Sequence, residues 1–434
     1  METTNQTALP ERKLRWVPLD NAAKIYPAAR SGKWSNVFRL SATLSEDIDV
    51  PVMQAALNVT VRRFPAMAVR LRRGFFWYYL QQLSEAPAIR RESSYPLTHM
   101  SREETRRCAF RVIVHRNRVA VEMFHSLTDG NGALVFLKTL IAEYLLQKYG
   151  VNVPAQLGVL DRQEEPDPEE WEDSFLKYAG DVKMSRKATN AFRMSGTLET
   201  NGFNHVTCLQ LPVDRALAEA KKRGVTLTVL LCAVMMKAIG ELQDREVPNP
   251  LHRRPVKVLI PVNLRPMFGS KTLRNFVLYT TPELNPRLGE YDFDEICRLI
   301  HHHMGSEITE KKMRSLMTTN VSSERSKLIR AVPLFLKNPI MKAVFQAVGE
   351  RKSCLSLSNL GAVKLPEEMV PYVKRMDFIL GVQNTAPCNC GVISLGNTLY
   401  VNFIRNIREP ALEYAFYRVL RELEIPVTVD SNSP

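Results

Sequence analysis

Arg118-Val-Ala-Val-Glu-Met-Phe-His125-Ser-Leu-Thr-Asp129-Gly130 is the stretch on which the reading of this chain turns. Its first part alternates apolar side chains with others and predicts a strand. Its last six residues form an HxxxDG signature. Beyond it, Leu134, Leu137, Leu140, Ile141, Tyr144 and Leu145 recur at helical spacing and predict a helix over 132–149, with Gly150 as its stop. The motif therefore lies where a buried strand hands over to a helix. A histidine at such an exit can take a proton from an alcohol, amine or thiol. No GxSxG-type elbow supplies a nucleophilic serine beside it. A base without a nucleophile points to direct transfer of an acyl group from an activated donor.

Working outward, 110–115 and 118–125 read as a hairpin turning near Arg116 and Asn117, and 49–63 as a helix stopped by Pro65. Arg62, Arg63, Arg70, Arg72 and Arg73 precede the aromatic run Phe75–Tyr79, an interleaving that nucleic-acid binders also use. The same residues parse better as a helix end and two strands, 68–71 and 75–80, joined at Gly74. Residues 163–173 are acidic with two prolines and 183–204 are polar and basic, which marks a connection between halves. The second half opens with a strand at 205–211 and a helix from Asp214. A helix at 226–242, apolar nearly all round, is expected to be buried. A strand at 256–262 leads into Asn263-Leu264-Arg265-Pro266, and one long helix is predicted from Phe293 to about Thr318. Strands follow at 353–358, 376–380, 391–395 and 398–404, and a closing helix at 411–423. The expectation is a mixed α/β protein of two like-sized lobes, 1–165 and 205–434, joined by a crossover at 166–204.

The 434 residues, 45% hydrophobic and 24% charged, have the composition of a soluble globular protein. No apolar run reaches the roughly 18 residues of a membrane span, and 1–16 lack the apolar core of a secretory signal. Seven cysteines without framework spacing suggest reduced thiols and a cytoplasmic setting. Cys388 and Cys390 read as packed thiols. His301, His302 and His303 point about 100° apart on a helix and cannot share one metal, so none is expected. The net charge of +14 suits a solvated basic surface or an anionic partner: coenzyme A phosphates, an acidic acyl carrier protein or an anionic membrane face. Nucleic acid is disfavoured, because the basic residues are dispersed and no recognition motif accompanies them.

Taken with Pro261-Val-Asn-Leu-Arg265, Asn275 and Ser358-Asn359-Leu360-Gly361, the HSLTDG motif resembles the coenzyme-A-dependent acyltransferase superfamily. That group includes chloramphenicol acetyltransferase, alcohol acetyltransferases, wax-ester synthases and peptide-synthetase condensation domains. The resemblance covers most of the chain in element order. Two features depart from it: Phe124 stands where many condensation domains carry a second histidine, and Asp377-Phe-Ile-Leu-Gly381 only echoes the DFGWG of the plant enzymes.

The resemblance implies two chloramphenicol-acetyltransferase-like lobes with a tunnel between them. His125 is then the general base. Asp129 is either a triad-like partner of His125 or, as the resemblance implies, a structural partner of Arg265 in a bidentate pair. Gly130 serves an unusual φ, a close approach or a simple turn. Ser358 and Asn359 lie near the reaction chamber as substrate-binding and oxyanion-stabilising groups, or else cap a turn. No bound cofactor is implied. Acyl-CoA is the expected co-substrate, with an alcohol or amine acceptor; a carrier-protein donor, or a non-catalytic scaffold of the same fold, is the alternative.

Overall fold

The computed structural model describes residues 15–30, 36–92, 94–184, 189–325, 331–344, 352–383 and 386–432. Most of the segment read for a leader, and part of the polar stretch 183–204, lie outside the described residues.

Among the described residues two mixed sheets form the backbone of the molecule. The first has five strands in the order Val373–Ile379, Val37–Leu44, Arg118–Phe124, Phe110–His115 and Arg90–Arg91. The hairpin forms as the alternation predicts, with His115 opposite Arg118 and Phe110 opposite Met123. One face carries Val119, Val121 and Met123 into a core shared with the helices Val50–Arg63 and Gly130–Tyr149. Both helices begin at a carboxylate. Asp49 accepts from the N–H of Val52 at 3.1 Å, and Asp129 accepts from those of Asn131 and Gly132 at 3.1 and 3.2 Å. A small third sheet pairs Tyr78–Gln82 with Val69–Arg73 and Trp16–Pro18.

The other face of the first sheet buries charge. Glu122 is fully buried and takes Arg39 at 3.1 Å and Arg111 at 2.6 Å, and also accepts from the N–H of Leu97 at 2.9 Å. Arg39 continues to Glu92 at 2.6 Å. The polar half of the alternating strand therefore faces an ion network rather than water.

Among the described residues the second sheet has eight strands. Its path runs Val277–Thr280, Val256–Asn263, Leu355–Val363, Cys388–Leu395, Thr398–Arg405, His205–Pro212 and Thr428–Ser431, with Glu283–Leu284 pairing off the path. Leu355–Val363 is parallel to both of its neighbours. The helix Leu227–Glu246 is buried against Ala411–Glu422, Phe293–Glu307 and strand Val256–Asn263. Among the described residues no single helix is long and apolar enough to cross a membrane.

Two expectations are corrected. The long helix expected over 293–318 is two helices, Phe293–Glu307 and Glu310–Arg325. Ile308 leaves the helical region at ψ 68°, and Thr309 restarts the ladder by accepting at its carbonyl from Met313 N at 2.9 Å. Thr309-Glu310 was a helix-start signal hidden inside an apolar periodicity. The strand expected near 376–380 does not join the sheet of the second half. Val373–Ile379 instead closes the edge of the first sheet, antiparallel to Val37–Leu44. Strand pairing is non-local, and the sequence shows a strand without showing its partner.

The crossover also does more than connect. Phe175 is buried with Leu264, Phe276, Met313 and Met317 in a separate apolar cluster. Glu170 grips the buried Arg63 through both carboxylate oxygens, at 2.5 and 2.7 Å. Cys388 and Cys390 are buried on one face of their strand, and burial pushes both thiols well above their ordinary pKa. His303 meets Thr280 Oγ1 at 3.0 Å, whereas His301 and His302 are exposed.

Candidate active site

The motif strand ends at Phe124, and His125 follows where the chain leaves the sheet. Its N–H donates to the carbonyl of Asn36 at 2.9 Å, which keeps it attached to the start of strand Val37–Leu44. The next residues are anchored in opposite directions. Ser126 Oγ donates to the carbonyl of Ala23 at 3.1 Å, and Thr128 Oγ1 donates to that of Leu273 at 2.6 Å. The hexapeptide is thus clamped between the N-terminal segment and the loop 270–276.

The imidazole is only partly buried. It stacks on Tyr26 at 4.5 Å between centroids and meets Phe38 edge-on at 5.1 Å. Its Nδ1 lies 3.1 Å from Asn275 Oδ1. The Asn275 amide nitrogen donates to the carbonyl of His125 at 3.0 Å and to Asp20 Oδ2 at 3.3 Å. Two acceptors facing Nδ2 fix the amide orientation, so the atom facing the ring is an oxygen. An oxygen acceptor requires Nδ1 to carry the hydrogen, which leaves the lone pair on Nε2. Burial lowers the His125 pKa below its ordinary value near 6.5, against the upward pull of its hydrogen bonds and of Asp129 and Asp20.

Asp20 is fully buried. Burial raises its pKa, opposed by Arg274, whose Nε lies 3.5 Å from Oδ2. Asp20 and Tyr26 carry no sequence signal of their own, because the elements around them are a three-residue turn and a five-residue helix. Asn275 belongs to the segments that carry the family resemblance, whereas its contact with the imidazole is set by tertiary structure.

Asp129 does not contact the imidazole through its carboxylate. Oδ1 caps the helix, while Oδ2 accepts from Arg265 Nη1 and from the N–H of Phe276, each at 2.9 Å. The pair with Arg265 is one-armed, not the bidentate fork expected. Arg265 turns its other donors to carbonyls, Nε to Thr272 at 2.7 Å and Nη2 to Arg274 at 2.5 Å. Those carbonyls lie three residues and one residue before Asn275. Arg265 therefore splints the loop that presents Asn275 to His125.

Gly130 has no left-handed φ, so of the readings offered, close approach applies. A Cβ there would sit 2.8 Å from Leu360 Cδ2 and 3.3 Å from Phe378 Cζ. Gly132 is tighter still, since a Cβ would lie 2.2 Å from the Leu273 carbonyl oxygen. Gly132→Ala is expected to force the 270–276 loop off the motif helix. It should cost about 1–3 kcal/mol, as overpacking against backbone does, and should weaken activity with it. Urea unfolding of the variant checks this, and an unchanged midpoint with unchanged activity would refute it.

Ser358 and Asn359 lie in strand Leu355–Val363, partly exposed, and reach the motif through Leu360 against Gly130. Asn359 Nδ2 donates to Thr228 Oγ1 at 3.1 Å, and its Oδ1 accepts from the N–H of Gly361 at 2.8 Å, where φ is +79°. A groove of about 350 Å³ lies elsewhere, beside Leu83–Ala88 and Phe110, away from His125.

By sequence the chain matches no protein-family model and no curated protein. By structure it is similar to polyketide synthase associated protein 5 from Mycobacterium tuberculosis, with a TM-score of 0.58 at 13% identity, covering 93% of this chain and 97% of that one. It is similar to the wax ester synthase/diacylglycerol acyltransferase from Marinobacter aquaeolei VT8, with a TM-score of 0.57 at 13% identity over 94% and 100% of the two chains. The first condensation domain of the CDA synthetase aligns with a TM-score of 0.57 at 15% identity over 94% and 96%. The protein has the two-lobed α/β fold that condensation domains and coenzyme-A-dependent acyltransferases share.

Proposed function

We propose that this protein is an acyltransferase in which His125 is the general base. The observation that carries the reading is the Asn275 amide, held by Asp20 and the His125 carbonyl, which fixes the proton on Nδ1 and leaves Nε2 as the acceptor. The acceptor alcohol or amine gives its proton to Nε2 as its heteroatom attacks the thioester carbonyl. The C–O or C–N bond forms, and the carbonyl π electrons move to oxygen. Ser358 and the second N–H of Asn359 are assigned to that oxyanion. Collapse then breaks the C–S bond, and the imidazolium returns the proton to the leaving thiolate. Asp129, Arg265 and Gly130 act as positioning residues. The donor assigned first is acyl-CoA, whose phosphates suit a chain of net charge +14. An acidic acyl carrier protein is the second reading, favoured by the same charge.

Incubating the protein with mixed acyl-CoAs and candidate alcohols and amines, with products read by intact mass, tests the reaction. A parallel arm with acyl-carrier thioesters separates the donors. Absence of transfer from both thioester classes across the panel would overturn the assignment in favour of a binding scaffold.

The protonation state gives a further expectation. The base works only when neutral, and burial depresses its pKa. The acid limb of kcat/KM against pH should therefore lie below 6.5, with a plateau above it. The same shift has a linkage sign. Between 6.5 and the lower folded-state pKa the unfolded chain binds the extra proton, so the stability contributed by neutral His125 falls as pH falls through that window. An acid limb above 6.5 would contradict a pKa lowered by desolvation of the ring.

A further inference from the structure

We propose that this protein docks peripherally on an anionic lipid bilayer, through an apolar patch built from the turn 74–77 and the helix Leu334–Val344. Five large apolar side chains protrude there: Phe75 at 67% exposure, Phe76 at 44%, Phe335 at 58%, Leu336 at 50% and Ile340 at 63%. Single exposed apolar residues are ordinary on any surface, but a cluster of this size is not.

The two segments lie about 260 residues apart and are tied directly together. The N–H of Leu334 donates to the carbonyl of Phe75 at 2.8 Å, and Lys337 Nζ donates to that of Phe76 at 3.2 Å. Asn338 Nδ2 donates to the hydroxyl of Tyr78 at 3.1 Å. The rings of Phe75 and Phe76 meet edge-on with centroids 4.8 Å apart. Leu334 is buried behind this platform, so the helix has an anchored face as well as its projecting one.

Charge identifies the occupant. No Asp or Glu occurs from 50 to 84 or from 331 to 344, while Arg73 and Lys342 are exposed. Lys337 and Lys24 lie over the Trp77 ring at 3.8 and 5.4 Å, and Lys24 is also paired with Glu324. Aromatic and aliphatic tips flanked by exposed cations, with the nearby Glu324 paired to Lys24, match the headgroup boundary of an anionic membrane. There the apolar groups enter the acyl region and the exposed Arg73 and Lys342 meet lipid phosphates. A second copy of the chain would set these cations against themselves, on a molecule already at +14. The docking does not depend on the chemistry at His125.

The test is co-sedimentation of the full chain with phosphatidylcholine vesicles, neutral or containing about 30% phosphatidylserine to set a negative surface potential. Retention on the anionic vesicles is expected, weakening as salt rises. The triple variant Phe75→Ser, Phe335→Ser, Ile340→Ser should lower vesicle affinity at least about tenfold. The double variant Arg73→Gln, Lys342→Gln should lower it about fivefold for each charge. That double variant probes the surface without touching an apolar group, and His125→Ala should sediment as the native chain does. Equal retention of native and triple-variant protein would overturn the proposal. So would a dimer dispersed by the triple variant without vesicle affinity, or binding to an acidic carrier protein alone.

Discussion

His125→Ala is expected to lower kcat/KM for acyl transfer by about 100- to 10,000-fold, the usual contribution of a positioned general base. The loss should appear in kcat, because deprotonation of the attacking group belongs to the transition state rather than to binding. The fold should survive. His125 is only partly buried, its main-chain N–H bond to Asn36 persists in the variant, and its ring neighbours Tyr26 and Phe38 belong to other elements. Circular dichroism and the urea midpoint provide the control. Native-like turnover in a folded His125→Ala protein would end the general-base reading. Loss of turnover together with loss of fold would place the residue among the packing groups.

Arg265→Ala carries the largest expected cost to stability, about 3–5 kcal/mol, the range for removing one partner of a buried ion pair. Asp129 is 4% exposed in its side chain and Arg265 14%, so the carboxylate left behind has little access to water. Two carbonyls, of Thr272 and Arg274, lose their guanidinium donors as well. The loop then no longer holds Asn275 against Nδ1. Activity should fall beyond what the unfolded fraction explains, and the acid limb of the pH profile should move as the imidazole loses its partner. Arg265→Lys keeps the charge but not the planar spread of donors, and should recover only part of both properties. Denaturant unfolding within about 1 kcal/mol of the native protein, the scale of an exposed pair, would show that Arg265 is a surface charge after all.

Much of the scaffold was legible because its determinants are local. The alternation in 118–124, the apolar stripe of 132–149 and the continuous apolar run of 226–242 each occupy one short window, and each element formed. Where two local signals competed, the reading failed. The apolar periodicity of 293–318 outweighed the Thr309-Glu310 start signal, and the helix proved to be two. Glu122 was equally opaque, because an acidic residue on an alternating strand reads as solvent-facing unless its arginine partners, at 39 and 111, are known to converge on it.

The candidate site divides along the same line. The sequence by itself determined that a histidine stands at a strand exit and that a helix follows the Asp-Gly pair, and it offered Arg265 and the Ser358-Asn359 strand as candidates from the second half. Tertiary structure alone decided what surrounds the imidazole. Asn275 is 150 residues from His125 and 255 from Asp20, yet one amide touches both, and Tyr26 covers the ring from a segment with no periodic signal. It also decided that Asp129 faces Arg265 and the N–H of Phe276, and that the strand at 373–379 completes the first sheet. The physical reason is range. Periodicity, capping and turn chemistry act within a few residues, whereas a proton is placed on one ring nitrogen by hydrogen bonds whose partners meet only after the chain has closed its longest loops.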